Sequence, residues 1–262
     1  MLDDWGLVAL QGPLSAEILE RALVTAGAED VDIKALYFGQ CLHVPLTNLP
    51  SAPPAAAKDP ILISRGGYTG EDGFEISIPP ALTVPLITHL LSTGGRDRLR
   101  LAGLGARDSL RLEAGMCLYG HDLNDETTPV EAGLGWVIHK DRRAAGGFHG
   151  SETILAQLRP RKDGGDPPKR KRVGLVVEGA PAREGAEIRA EVGGEVVGRV
   201  TSGCPSPTLG KNIAMGYVET SLGKAGTALE IMVRGKARKG VVVKMPFVKS
   251  RYWKEVVGIS PG

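Results

Sequence analysis

The sequence predicts an α+β fold: an antiparallel sheet with flanking helices, followed by a small C-terminal antiparallel β-barrel. Three observations carry that prediction. Phe74-Glu75-Ile76-Ser77-Ile78 alternates with period two, the pattern of a strand with one buried face. Windows of helical spacing near residues 15–23, 82–91 and 98–113 alternate with strand-like runs. From Val173 onward, short strands follow one another closely with few helical windows between them.

Taken in order, residues 5–10 read as a strand that turns at Gln11-Gly12-Pro13. Ser15 is placed to cap a helix running to Leu23, with Ile18, Leu19 and Leu23 inward. Residues 35–44 read as another strand. Residues 48–60, with Pro50, Pro53, Pro54 and an alanine run, have loop chemistry. Residues 82–91 are expected to be helical, with the regular part confined to one side of Pro85. Residues 98–113 carry an apolar stripe of Leu101, Leu104, Leu110 and Leu112. Arg107 and Arg111 fall on a neighbouring face, and Asp108 is within reach of Arg111. A solvated helix face accounts for both arginines. The polar stretch 115–129 is too long for a plain connection, which favours a functional loop.

Residues 159–172 are basic and rich in Pro and Gly, and are expected to link a domain of residues 1–158 to one of residues 173–262. An exposed linker explains Lys169-Arg-Lys-Arg172 better than an RNA patch, because no aromatic is interleaved. Strands are expected at 173–177, 186–192, 196–201, 213–218, 228–233 and 240–245, with Gly193-Gly194 as a hairpin turn.

Bulk properties narrow the function classes. With 42% hydrophobic and 24% charged residues the composition is that of an ordinary globular protein, and a net charge of +2 is too mild to imply nucleic acid. No apolar run approaches a membrane span. Cys41, Cys117 and Cys204 are dispersed and odd in number, which gives neither a disulfide framework nor a zinc signature and favours a reducing compartment. Cys204, between Gly203 and Pro205 in an expected loop, reads as a packing residue rather than a nucleophile. The five histidines show no metal-ligand spacing, so no metal is expected. The first ten residues show neither a signal-peptide layout nor the basic, Ser-rich character of a transit peptide.

The most informative stretch is Ser64-Arg-Gly-Gly-Tyr-Thr-Gly-Glu-Asp-Gly-Phe-Glu-Ile-Ser-Ile-Pro79. Its glycines allow a loop that folds tightly against a ligand or another backbone. Glu75, held on a strand beside that loop, suits a ligand edge offering two parallel N–H donors. A surface hairpin with a solvated glutamate fits the same spacing. The further candidates are Tyr68, Arg107, Glu131, Trp136 and the aromatic tail Arg251-Tyr252-Trp253. Together they offer stacking surface, a carboxylate and arginines, which a flat heteroaromatic ligand with an anionic tail requires.

Several motifs resemble the glycine cleavage T-protein (aminomethyltransferase) family. They are Gly67-Tyr-Thr-Gly-Glu-Asp-Gly-Phe-Glu75, Ala106-Arg-Asp-Ser-Leu-Arg-Leu-Glu-Ala-Gly115, Thr128-Pro-Val-Glu-Ala-Gly-Leu-Gly-Trp136, Thr201-Ser-Gly-Cys-Pro-Ser-Pro207 and Lys244-Met-Pro-Phe-Val248. Leu10-Gln-Gly-Pro13 agrees, and the similarity runs in one order from about Trp5 to Trp253. The resemblance implies transfer of an aminomethyl carbon from the lipoyl arm of H-protein to tetrahydrofolate, a co-substrate, with release of ammonia. It implies that Glu75 holds the pterin in a cleft, that Arg107 and Tyr252 lie at the folate site, and that Tyr68 and Trp136 belong there too. It makes the first domain the folate-binding one. The family's catalytic aspartate, in a Gly-x-x-Asp-Asp motif, falls in a segment preceding the stretch matched here; Asp3 and Asp4 lack that glycine context. A non-catalytic folate-binding fragment or interaction module is therefore the alternative. No nucleic-acid or membrane partner is implied. The expected compartment is the mitochondrial matrix in a eukaryote and the cytoplasm in a bacterium. Iron–sulfur relatives of this fold carry a Lys-Gly-Cys-Tyr-x-Gly-Gln-Glu motif, which is absent.

Overall fold

The structure, a computed structural model, describes residues 4–53, 59–190 and 194–255. Asp3, Pro54, the alanine run at 55–57, Gly193 and residues 191–192 of an expected strand lie outside the described residues. The chain divides into two compact units, Met1–Arg107 together with Ser250–Gly262, and Asp108–Lys249.

The first unit is built on an antiparallel sheet of order β1-β4-β3-β2, formed by β1 (Gly6–Gln11), β2 (Cys41–Val44), β3 (Ile61–Arg65) and β4 (Gly73–Ile78). The alternation at 74–78 works as expected. Phe74, Ile76 and Ile78 are fully buried, and they pack with Ile61 and Ile63 of β3 and with two helices, α1 (Ser15–Thr25) and α2 (Pro80–Gly94). Burying one face of both central strands against helices is what fixes the sheet's register.

Local expectations fail where packing overrides them. Leu14, not Ser15, occupies the N-cap of α1. Ser15 is the first helical residue, buried, and its hydroxyl donates to the Asp72 carbonyl at 3.3 Å. Only Cys41–Val44 of the expected 35–44 strand is extended, because Asp32 accepts from the Lys34 and Ala35 amides and closes a 3-10 turn over Ile33–Ala35. β3 was not anticipated. Pro85 lies inside α2, since Leu82, Leu86 and Leu90 keep one buried stripe running past it. The expected helix 98–113 shortens to α3 (Leu104–Glu113), and Leu101 and Leu104 are 80% and 85% exposed instead of inward.

The second unit contains α4 (Lys140–Ala145), α5 (Ser151–Leu158) and a closed antiparallel barrel of order β10-β5-β8-β7-β6-β9. Its strands are β5 (Arg170–Val177), β6 (Glu187–Arg189), β7 (Val196–Ser206), β8 (Lys211–Glu219), β9 (Ala228–Val233) and β10 (Lys236–Val243). Val173, Leu175, Ile188, Val200, Ala214, Val218 and Ile231 fill the interior. Cys204 lies in β7 rather than a loop, and packs with Leu112, Ile213 and Met215. Burial raises its thiol pKa, as it does for half-buried Cys117.

The last three residues of the stretch expected as a linker, 170–172, are strand. Arg170 and Arg172 begin β5. Arg170 pairs with Glu131 at 3.2 Å, and Arg172 donates to the carbonyls of Ala132 (2.8 Å) and Gly115 (2.9 Å). Arg111, expected on a solvated face, is buried. It donates to Asp108 at 2.6 Å, to Asp122 at 2.8 Å and to Ser202 at 2.9 Å. Paired basic groups therefore build this unit where composition alone read a linker and a surface.

Candidate functional site

The candidate site of the first unit begins where β3 and β4 meet the glycine-rich loop 66–72. The Gly66 amide donates to the Gly73 carbonyl at 2.9 Å and closes the loop's neck. Gln11, at the end of β1, donates from Nε2 to the Gly66 carbonyl at 3.0 Å and accepts from Thr69 at 2.8 Å. A Cβ at Gly73 would lie 2.6 Å from the Leu10 carbonyl oxygen, and Gly70 adopts a φ of 76°. The glycines thus serve close backbone approach and one left-handed turn.

Glu75 is the third residue after this loop. In register it stands between Ala9 of β1 and Ser64 of β3. It points to the sheet face opposite Phe74 and Ile76, is half-buried, and its carboxylate has no hydrogen bond or ion pair among the described residues. A carboxylate on a central strand, flanked by a small and a polar neighbour, is held rigidly and keeps both oxygens available. Elsewhere in this unit a cavity of about 850 Å³ is lined by Leu91, Leu99, Leu101, Arg96 and Arg100.

Two of the other expected residues meet. The Arg107 guanidinium sits over the Tyr68 ring, 4.7 Å from its centroid. The segment carrying Tyr252 docks on the same loop. The Arg251 amide donates to the Gly70 carbonyl at 2.8 Å, and its guanidinium lies 3.7 Å from Glu71. Tyr252 stacks on Phe38 with centroids 4.2 Å apart and an interplanar angle of 28°. Burial raises the Tyr252 phenol pKa against an opposing hydrogen bond from Ser250. Lys254 Nζ stands 5.7 Å from the Phe38 ring and 5.8 Å from the Tyr252 ring.

Trp136 and Glu131 belong to the second unit. Trp136 is 75% exposed in a 3-10 turn, Gly135–Val137. Glu131 forms a reciprocal capping pair with Thr128, accepting from the Thr128 amide at 3.1 Å while its own amide donates to the Thr128 hydroxyl at 3.2 Å. With Arg170 as its other partner, Glu131 has a structural role.

Sequence reasoning missed Arg65, Asp72, Phe38 and Gln11. The signal for Arg65 was present. It ends the alternation Ile61-Leu62-Ile63-Ser64-Arg65 on the buried phase, and a charged residue there demands partners. Among the described residues no group of three His, Cys, Asp or Glu side chains could hold a metal ion. None of the described helices is long and apolar enough to cross a membrane.

Comparison with known proteins gives one consistent result. A family model described as GCVT N-terminal domain matches residues 1–142, and one described as Glycine cleavage T-protein C-terminal barrel domain matches residues 170–249. The chain is 50% identical over 248 residues to a protein of Schizosaccharomyces pombe named probable aminomethyltransferase, mitochondrial, covering 95% of this chain and 57% of that protein. It is 48% identical over 252 residues to the mitochondrial aminomethyltransferase of Pisum sativum, covering 96% of this chain and 56% of the relative. The chain thus spans little more than half the length of these curated relatives. Among solved structures, the glycine cleavage system aminomethyltransferase T from Bartonella henselae superposes with a TM-score of 0.67 at 30% identity, over 97% of this chain and 86% of that one.

Proposed function

The chain belongs to the glycine cleavage T-protein family, and on that premise we propose that it serves aminomethyl transfer from the lipoyl arm of H-protein to tetrahydrofolate. In this reaction the aminomethyl carbon leaves both its sulfur and its nitrogen and ends bonded to two folate nitrogens. The two hydrogens displaced from those nitrogens leave with the thiol and with ammonia. The product is 5,10-methylenetetrahydrofolate.

The residues of this chain do the binding and orienting. Glu75 accepts two parallel N–H donors from the aminopyrimidine edge of the pterin, a charge-assisted arrangement that fixes the plane of the ring. Tyr68 and Tyr252 supply aromatic surface. Arg107, already poised over Tyr68, faces the anionic end of the folate. Fixing the pterin plane sets where the reacting nitrogen points, so orientation is the main contribution these groups can make to rate. The names of the fungal and plant relatives support a mitochondrial compartment in a eukaryote.

The observation that carries this reading is the available carboxylate of Glu75 on a rigid central strand, beside a loop that also presents Tyr68. The test is ammonia release by purified protein with lipoylated H-protein carrying the aminomethyl group, with and without tetrahydrofolate. Folate-dependent ammonia supports the transferase. Its absence, alongside measurable tetrahydrofolate binding, would leave a non-catalytic folate-binding module.

A further inference from the structure

Arg65 joins every segment of the first unit that carries an expected ligand residue except α3. It is 3% exposed. Its Nε and Nη2 form a two-point pair with Asp72 of the glycine-rich loop, at 3.0 and 2.6 Å. Its Nη1 donates to the carbonyls of Ile33 (2.8 Å) and Leu36 (2.7 Å), in the segment leading to Phe38. One aromatic contact is the Phe74 ring at 4.9 Å, adjacent in sequence to Glu75, and another is the Trp253 ring at 5.3 Å, adjacent to Tyr252. Trp253 is fastened in turn. Its carbonyl accepts from the Phe38 amide at 2.8 Å, and its indole donates to the Lys34 carbonyl at 3.1 Å.

A buried guanidinium needs this many partners to offset its desolvation, and a planar fork satisfies them in one geometry only. We propose that Arg65 is a positioning residue for the folate site. Through Asp72 and Trp253 it holds the Tyr68 loop and the Tyr252 segment as one preformed surface. The proposal rests on the reading of that surface as folate-binding. Without the tether the two segments must be ordered when ligand arrives, and that ordering weakens affinity while the sheet and helices stay intact.

The test compares Trp253→Ala, Trp253→Phe and Arg65→Lys in the full chain, by amide hydrogen exchange without ligand and by calorimetric titration with tetrahydrofolate. Trp253 is 47% exposed, so its truncation spares the core. Exchange is expected to rise at the Phe38 and Arg251 amides in Trp253→Ala and Arg65→Lys, with the α1 amides unchanged. Affinity is expected to fall about tenfold in those two variants and to be largely retained in Trp253→Phe. A merely structural role would loosen α1 as well. Unchanged exchange at Phe38 and Arg251 overturns the tether, whatever binds. A wild-type chain that exchanges as expected but binds no tetrahydrofolate overturns the folate reading and the ligand named here, so the two failures are distinct.

Discussion

Arg111 Nη1 lies 2.8 Å from Asp122 Oδ2, and both side chains are buried in the second unit. Asp122 also accepts from the Leu118 amide at 2.8 Å and from the hydroxyls of Ser202 and Thr201, while its own carbonyl accepts from the Tyr217 hydroxyl at 2.9 Å. The stretch 115–129, expected to be a functional loop, is thereby pinned to β7 and β8. Removing one partner leaves the other charge buried and unmatched. Asp122→Ala should therefore cost about 3–5 kcal/mol, read as a lower urea midpoint. A loss no larger than that of a surface substitution would show the network to be dispensable.

Gly73→Ala tests the backbone approach that shapes the glycine-rich loop. The added methyl would meet the Leu10 carbonyl oxygen at 2.6 Å and the Gln11 side chain at 2.4 Å. Backbone must shift, so a cost of about 1–3 kcal/mol is expected, together with altered amide chemical shifts at Gly66 and Thr69. A variant of wild-type stability would mean that β1 and β4 separate freely here.

The Tyr217 phenol should titrate late. Burial is the main cause that raises its pKa to about 12, against an ordinary value near 10. The folded state holds this proton more tightly than the unfolded chain. Its contribution is therefore complete below pH 10 and is lost as pH rises toward 12. The stability difference between wild type and Tyr217→Phe should shrink across that window in urea titrations. A constant difference would contradict the assignment.

Arg107→Ala separates binding from folding. The Arg107–Tyr68 contact is solvent-accessible, so its loss should change stability by no more than about 1 kcal/mol. If Arg107 faces the anionic end of folate, affinity should fall about tenfold by calorimetry, since about 1.4 kcal/mol is a factor of ten. Equal affinities would remove Arg107 from the site.

Much of this fold is written in local periodicity. The alternation at 74–78 placed Glu75 on the face opposite Phe74 and Ile76, and each barrel strand lies within a few residues of its apolar run. What local pattern does not encode is partnership across the chain. Arg111 reads as a surface residue until Asp122 and Ser202, eleven and ninety-one positions away, supply its acceptors. Arg170 and Arg172 read as linker until Glu131 and the Ala132 carbonyl claim them. Pro85 reads as a helix breaker until the Leu82, Leu86 and Leu90 stripe is seen packed into the core. Of the candidate site, residue chemistry named the candidates and the resemblance gave them expected roles. The Tyr68–Arg107 stack, the Tyr252–Phe38 stack and the Arg65 hub required the fold.

The most direct measurement is calorimetric titration of tetrahydrofolate into wild-type protein and Glu75→Ala, with folding of both verified by circular dichroism. Glu75 is half-buried and its carboxylate has no hydrogen bond or ion pair among the described residues, so its truncation should leave the sheet intact. A saturable heat in the wild type that falls at least tenfold in affinity in the variant is the predicted result. Equal affinity in two folded proteins would contradict the account.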